Sequence, residues 1–283
     1  MHPEPDDFPP FLIHNGTLRK AGSEVLPIED GAPARGQGAF ETIAAYHGRP
    51  FLAAAHLGRL RRAAARLDLD CPPDHVFLDA MEILLSANRL DQEAKARIRL
   101  TLTAPPQGGA SWFIEAGPVP SHGITARVVT IPYARNERGA LSGLKTISYG
   151  ENAVAMQLAR AAGADEALFA NTRDELCEGT WSNIFLYSKG CWLTPPLSSG
   201  CLPGVTRALV LELFRELGLA AKEVPIPMTD LPTAEGAFLT SSLREIQTIM
   251  AIDARELPES PDLASLREAF AERVGRETGP APA

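Results

Sequence analysis

Residues 39–67 read AFETIAAYHGRPFLAAAHLGRLRRAAARL, and the change of period inside this stretch sets the fold class. Ala39 to Tyr46 is rich in β-prone residues, and His47-Gly48 is a turn dipeptide. From Phe51 onward the apolar positions move to helical spacing: Leu52, His56, Leu60 and Ala63 fall on one stripe, with Arg59 beside it. A strand followed at once by a helix makes the protein mixed α and β. Upstream, PPFLIHNGTLRK (9–20) centres on Asn15-Gly16, the dipeptide of a tight hairpin, and predicts two short strands. Downstream, a helix from about His75 to Leu90 precedes strands at Ala96 to Thr103 and Trp112 to Ala116.

The stretch from Ala116 to Thr125, with its Gly-Pro and Pro-Ser pairs, reads as a linker. This divides the chain into an N-terminal domain at 11–117, a linker at 118–125 and a C-terminal domain at 126–283. In the second half a strand at Ala126 to Pro132 leads to a helix near Asn152 to Ala162. Strands follow at Glu166 to Ala170, Asn183 to Ser188 and Cys191 to Thr194, then a helix from Val205 to Leu217, a strand from Ala237 to Thr240 and a last helix around Ala264 to Val274. The regular strand-helix-strand rhythm of a doubly wound fold is missing, and no repeat recurs at periods of about 20–50 residues, so two α+β domains are expected.

The 283-residue length accommodates one large domain or two packed ones. With 45% hydrophobic and 22% charged residues the composition is that of a globular enzyme rather than a disordered or fibrous chain. The 35 acidic against 27 basic residues give a net charge of −8, which argues against a nucleic-acid partner and for small molecules. No run of 18 apolar residues exists, and the acidic, Pro-rich start is unlike a signal peptide, so no membrane role and a cytoplasmic location are expected. Cys71, Cys177, Cys191 and Cys201 show no CxxC spacing and the six histidines no HxH or HxxxH, so no metal is expected.

Four segments could carry chemistry. Only five lysines stand against twenty-two arginines. Lys20, Lys95, Lys189 and Lys222 sit in polar turns or charged runs, whereas Lys145, in GLKTISY, lies beside an apolar residue and a β-prone, hydroxyl-rich run. It is either a surface lysine before a helix or a partly desolvated nucleophile of lowered pKa. CLPGVTR (201–207) enters a helix, where free N–H groups, a hydroxyl and the helix dipole suit an anion, although Pro-Gly and a Thr cap also begin ordinary helices. LTSSLREI (239–246) ends a strand with hydroxyls that serve either as caps or as ligand contacts. In LCEGTWSNIF (176–185), Glu178 is either a turn glutamate or a half-buried carboxylate.

Taken together, GLKTISY, GADEALFAN, LCEGTWSNIF, LTPPL, CLPGVTR and LTSSLREI, in this order, resemble the class IV aminotransferase family, the fold type IV pyridoxal-phosphate enzymes. These include branched-chain and D-amino-acid aminotransferases and aminodeoxychorismate lyases. EDGAPARGQGAFETI and HLGRL are similar to the family's N-terminal strand start and phosphate-arginine helix, so the resemblance spans about residues 11–252. It implies the two-domain α+β fold of D-amino-acid aminotransferase-like proteins, pyridoxal 5′-phosphate as cofactor and a homodimer. Lys145 resembles the Schiff-base lysine, and Glu178 the carboxylate that pairs with the protonated pyridine nitrogen. Arg59, Val205, Thr206 and Ser242 match the phosphate cup, Tyr149 a position near the ring, and Phe40 a position lining the substrate pocket.

Two departures bear on substrate. Thr103-Ala104-Pro105 stands where the D-amino-acid and lyase branches carry Thr-Arg-Gly, which puts Ala104 in the pocket in place of an arginine. Ser241-Ser242-Leu243-Arg244 stands where branched-chain enzymes carry Gly-Thr-Ala-Ala. Arg244 would then either hold a second substrate carboxylate or pair with Glu245 or Glu41 outside the pocket. The resemblance implies transamination between an amino donor and a 2-oxo acid, with aminodeoxychorismate lysis to 4-aminobenzoate and pyruvate as the alternative. A binding protein that kept the fold but lost the chemistry would have no use for both Lys145 and Glu178.

Overall fold

The computed structural model describes residues 9–22, 26–258 and 261–279. The described residues divide into two compact units: those within 9–120 together with 144–148 and 273–279, and those within 121–143 together with 149–272. Met1 to Phe8, the bulk of the acidic start, lie outside the described residues.

The first unit is built on a six-stranded sheet. In chain order its elements are β1 (Phe11–His14), β2 (Thr17–Lys20), α1 (Gly31–Arg35), β3 (Gly38–Tyr46), β4 (Arg49–Pro50), α2 (Ala53–Leu67), α3 (Asp74–Ala87), β5 (Ala96–Thr103) and β6 (Ser111–Pro118). The sheet order is β2-β1-β6-β5-β3-β4, antiparallel throughout. Neighbouring residues of β3 point to opposite faces. Ala39, Ile43 and Ala45 enter a core with Leu57 and Leu60 of α2 and Phe77, Met81 and Leu84 of α3. Fully burying each large apolar side chain here contributes about 1.5–3 kcal/mol. Phe40 and Thr42 turn to the other face.

The second unit carries β7 (Thr125–Arg135), α4 (Gly150–Ala161), β8 (Glu166–Asn171), β9 (Leu176–Gly179), β10 (Asn183–Ser188), β11 (Cys191–Thr194), α5 (Val205–Glu216), β12 (Ala221–Glu223), β13 (Gly236–Ser241), β14 (Glu245–Ile252) and β15 (Arg255–Glu256). The last helix, α6, spans Leu263–Thr278. The sheet runs β12-β11-β10-β13-β14-β7-β8-β9, with β15 on β14. Phe185 and Phe238 stack at 4.8 Å, and Trp192 and Phe214 close around them, which seats α5 on the sheet and fixes where its N-terminus points.

Sequence and structure differ in three ways that matter for the site. Residues 144–148, assigned by sequence to the C-terminal domain together with Lys145, group with the first unit. The cause is a backbone pairing: Ala39 bridges Thr146, Ile147 N–H donates to the Gly38 carbonyl, and Phe40 N–H donates to the Lys145 carbonyl, the latter two at 3.0 Å. β14 was not expected, because buried residues on both of its faces erase the alternation that marks a half-exposed strand. β9 is also an addition, and it puts Glu178 on a strand rather than in a turn. Among the described residues no helix is long and apolar enough to cross a membrane.

Candidate active site

In the first unit the side chain of Lys145 lies on an aromatic ring: its Nζ is 4.4 Å from the centroid of Phe40. The Arg99 guanidinium, from β5, is 3.9 Å from the same centroid. The negative face of a π-system attracts cations, so Phe40 seats two positive charges near one another. Lys145 is half-buried, and its backbone is held beside β3 by the pairings described above.

Behind this ring Glu41 points into the core and is 0% exposed. Its Oε1 accepts from Arg59 Nε, and its Oε2 from Arg59 Nη2 and His56, each at 2.7 Å. Burial alone would push this carboxyl up, yet Arg59 and His56 hold it at about 2. Burial, only partly offset by the hydrogen bond to Glu41, lowers the His56 pKa, and nearby Arg59 and Lys145 push it the same way. An ionised carboxylate only accepts, so neutral His56 carries its proton on Nδ1. Arg59, matched by sequence to the phosphate, thus has its Nε–Nη2 edge taken by Glu41, which sets the plane of the guanidinium. Ala104 accepts from Gly31 N–H at 2.7 Å, and Thr103 Oγ1 donates to Asp30 at 2.8 Å. These two bonds pin the start of α1 to the end of β5.

One pH dependence follows. The Glu41 pKa is depressed in the folded state, so its contribution to stability is complete above the unfolded value near 4.5 and is lost as pH falls through about 2. Urea midpoints measured from pH 6 down to pH 2.5 should decline over this window, and Glu41→Gln should show a flatter decline from a lower starting value. Parallel curves would mean that Glu41 is not the responsible group.

In the second unit Glu178 is half-buried on β9. Its Oε2 accepts from Leu202 N–H at 2.8 Å, and its Oε1 is 3.4 Å from Arg135 Nε. Arg135 itself stacks on Phe169 at 4.1 Å and pairs with Glu151 at 3.0 Å. The Leu202 carbonyl accepts from Asn183 Nδ2 at 2.9 Å, so the residue that leads into α5 is gripped at both ends of its backbone. Gly204, the N-cap of α5, offers no side-chain cap, and a Cβ there would fall 1.9 Å from Asn183 Oδ1. The close packing thus excludes the side chain that would otherwise cap the helix. The uncapped N–H groups of Val205 and Thr206, the buried Thr206 hydroxyl and the positive end of a twelve-residue helix make a donor set suited to a phosphate.

Ser242 sits in the three-residue turn between β13 and β14, and the preceding Thr240 leaves its buried Oγ1 without a partner. Tyr149 precedes α4 as its N-cap, half-buried, and its carbonyl accepts from Ala153 N–H at 3.0 Å. Arg244 requires a correction. Its Nη2 is 2.8 Å from Oε2 of the buried Glu166, and its Nη1 donates to Gln247 at 3.0 Å. Of the two readings left open by sequence, pairing with a glutamate is the one seen, but the partner is Glu166 rather than Glu245 or Glu41, and the pair points inward.

Within single units, then, Lys145 is brought to Phe40, and Glu178 to the loop that opens α5. Sequence reading assigns no site role to Glu41, His56, Arg99, Arg135 or Glu166. A signal exists for two of them: Glu41 is a charge inside an apolar strand, and His56 precedes Arg59 by three residues on one helix face. The others owe their positions to long-range pairings that no local pattern encodes.

The profile described as Amino-transferase class IV matches residues 38–252. The chain is similar to a bifunctional aminodeoxychorismate lyase / D-amino acid transaminase of Mycobacterium tuberculosis, 28% identical over 92% of this chain and 96% of that protein. It is also 30% identical to an aminodeoxychorismate lyase of Bacillus subtilis, over 83% of this chain and 84% of that one. Among solved structures, a branched-chain aminotransferase from Thermoproteus uzoniensis, crystallised with norvaline, superposes with a TM-score of 0.87 at 27% identity, covering 95% of each chain.

Proposed function

The chain belongs to the class IV aminotransferase family, whose members use pyridoxal 5′-phosphate, and from that premise we propose that it moves an amino group between an amino acid and a 2-oxo acid. The observation that carries this reading is the hydrogen bond from Leu202 N–H to Glu178. It ties the carboxylate proposed for the pyridine nitrogen to the loop that begins the phosphate-binding helix, so anchors for two ends of one cofactor share a rigid mount.

Lys145, Glu178, Val205, Thr206, Ser242, Arg59 and Tyr149 would hold the cofactor. When bound, it supplies an electron sink for the charge left at the substrate Cα after its proton departs. Nζ of Lys145 is the base for that proton, and the Phe40 ring beneath it limits where the amine can swing. Glu178 keeps a proton on the pyridine nitrogen. The α5 N–H groups and Thr206 Oγ1 would hold the phosphate in place. The second cation on Phe40, Arg99, favours substrates that bring a carboxylate to this side of the sheet.

Glu178→Gln should retain the cofactor yet slow Cα-proton removal by about 10- to 100-fold, the size of losing one hydrogen bond to a charged group. Single-turnover loss of deuterium from a Cα-labelled amino donor measures this step, and a change under about threefold would remove the assigned role.

The second reading is lysis of aminodeoxychorismate, favoured by the names of two relatives. Amino donors screened against pyruvate and 2-oxoglutarate, with aminodeoxychorismate in parallel, separate the two. Keto-acid formation supports the first reading, and 4-aminobenzoate without transamination would replace it. We also propose a homodimer, for which sedimentation should give twice the chain mass of 30.4 kDa.

A further inference from the structure

Glu166, at the head of β8, is 0% exposed and belongs to none of the proposed cofactor contacts. Its Oε1 accepts the Thr180 hydroxyl and, at 2.7 Å, the Trp181 N–H. Thr180 and Trp181 lie in the turn that immediately follows Glu178 and Gly179. Gly179 is matched to this arrangement, because a Cβ there would stand 3.0 Å from Glu166 Oε1 and 2.5 Å from Ser182 Oγ. The other carboxylate oxygen faces Arg244 Nη2 at 2.8 Å.

Arg244 belongs to a second turn. Its N–H donates to Ser241 Oγ at 3.2 Å, closing the turn that carries Ser242, and the left-handed Glu245 (φ 56°) returns the chain into β14. Through Gln247, whose Nε2 donates to the carbonyls of Gly123 and Thr125, the same guanidinium reaches the start of β7. One buried carboxylate therefore holds two separate turns: the one after the pyridine-nitrogen carboxylate and the one that carries the proposed phosphate hydroxyl.

We propose that Glu166 and Arg244 form a tie that sets the position of the Ser242 turn relative to Glu178, so that Arg244 acts on the cofactor phosphate through Ser242 and touches neither substrate nor cofactor. The inference rests on the assignment of Ser242 to the phosphate made above. A buried ion pair is weak as a source of net stability, because desolvation offsets attraction, but breaking one partner leaves an uncompensated charge. Positional definition is what such a pair supplies, and burial acts on it directly: removal from water pushes the Glu166 carboxyl up, and Arg244, Thr180 and the Trp181 N–H draw it back.

The test compares two ligands of the apoenzyme that differ only in the phosphate. Affinities for pyridoxal 5′-phosphate and for pyridoxal are measured by absorbance and fluorescence titration, alongside thermal melting. In Arg244→Leu the preference for the phosphorylated ligand should fall by about tenfold, with pyridoxal binding changed less than about twofold. Arg244→Lys should recover most of that preference, since an ammonium can still meet Glu166. The double variant Glu166→Gln, Arg244→Met removes both charges and should regain much of the melting temperature without regaining the preference. Equal losses for both ligands in a folded Arg244→Leu, or recovery of the preference in the double variant, would overturn the tie. Ser242→Ala should lose the preference as well. If it does not, the phosphate assignment falls together with the tie, whereas wild-type protein that binds pyridoxal 5′-phosphate no better than pyridoxal would overturn the cofactor reading itself.

Discussion

Lys145→Ala is expected to fold normally and to turn over no substrate, with kcat reduced by about a thousand-fold or more. A positioned proton-transfer group contributes about 10²–10⁴-fold, and a covalent anchor adds to it. The fold should survive because the backbone bonds at 145–148 do not involve the side chain: the Lys145 carbonyl still accepts from Phe40, and Ile147 still donates to Gly38. Lys145 is half-buried rather than a core residue, so melting should shift by only a few degrees. Borohydride reduction of the wild-type holoenzyme followed by peptide mass mapping provides the independent check. A phosphopyridoxyl adduct should appear on the peptide containing Lys145 and vanish in the variant. An adduct on Lys95 or Lys222, or activity within tenfold of wild type, would remove Lys145 from the centre of the reaction.

Arg59→Met should destabilise the protein by about 3–5 kcal/mol, the usual consequence of leaving one partner of a buried ion pair alone. Glu41 would keep only His56, and at 0% exposure it cannot recover the lost interaction from water. Urea unfolding at pH 7 measures the loss. Adding Glu41→Gln should return part of it, because the second change removes the orphaned charge. A loss below about 1 kcal/mol in Arg59→Met would mean that the pair is far better solvated than its burial implies. The double variant also tests the phosphate role proposed for Arg59: stability should return in part, while the preference for the phosphorylated cofactor should not.

Much of the architecture was legible locally. β-prone composition and turn dipeptides such as Asn15-Gly16 and His47-Gly48 place β1, β2, β3 and β5 within a residue or two, since a hairpin turn marks the ends of the strands it joins. The N-terminus of α5 was legible from LPGVT for the same kind of reason, because the glycine and the change of period lie side by side. The pairings of charges were not legible. From sequence Arg244 had a substrate carboxylate, Glu245 or Glu41 as partners, and the one it meets, Glu166, stands at the head of a strand with nothing local to mark it as a partner. Burial decides between them, and burial depends on β8, β13 and β14 assembling from distant parts of the chain. The unit to which Lys145 belongs escaped for a related reason: a single bridge between Ala39 and Thr146 outweighs its neighbours in sequence.

That return of residues 144–148 to the first unit also constrains how the protein comes off the ribosome. A nascent chain ending at residue 120 has all six strands of the first sheet but lacks the segment that lies along β3, so the edge beside Ala39 stays unpaired until residue 148 has emerged. Its last pieces, from 273 onward, follow the whole of 149–272 of the second unit in the chain. Vectorial synthesis therefore cannot finish the first unit before most of the second has been made, and a contact of such long sequence separation carries a large loop-closure cost and slows folding. A fragment ending at residue 120 should accordingly be short-lived and prone to aggregate through that open strand edge.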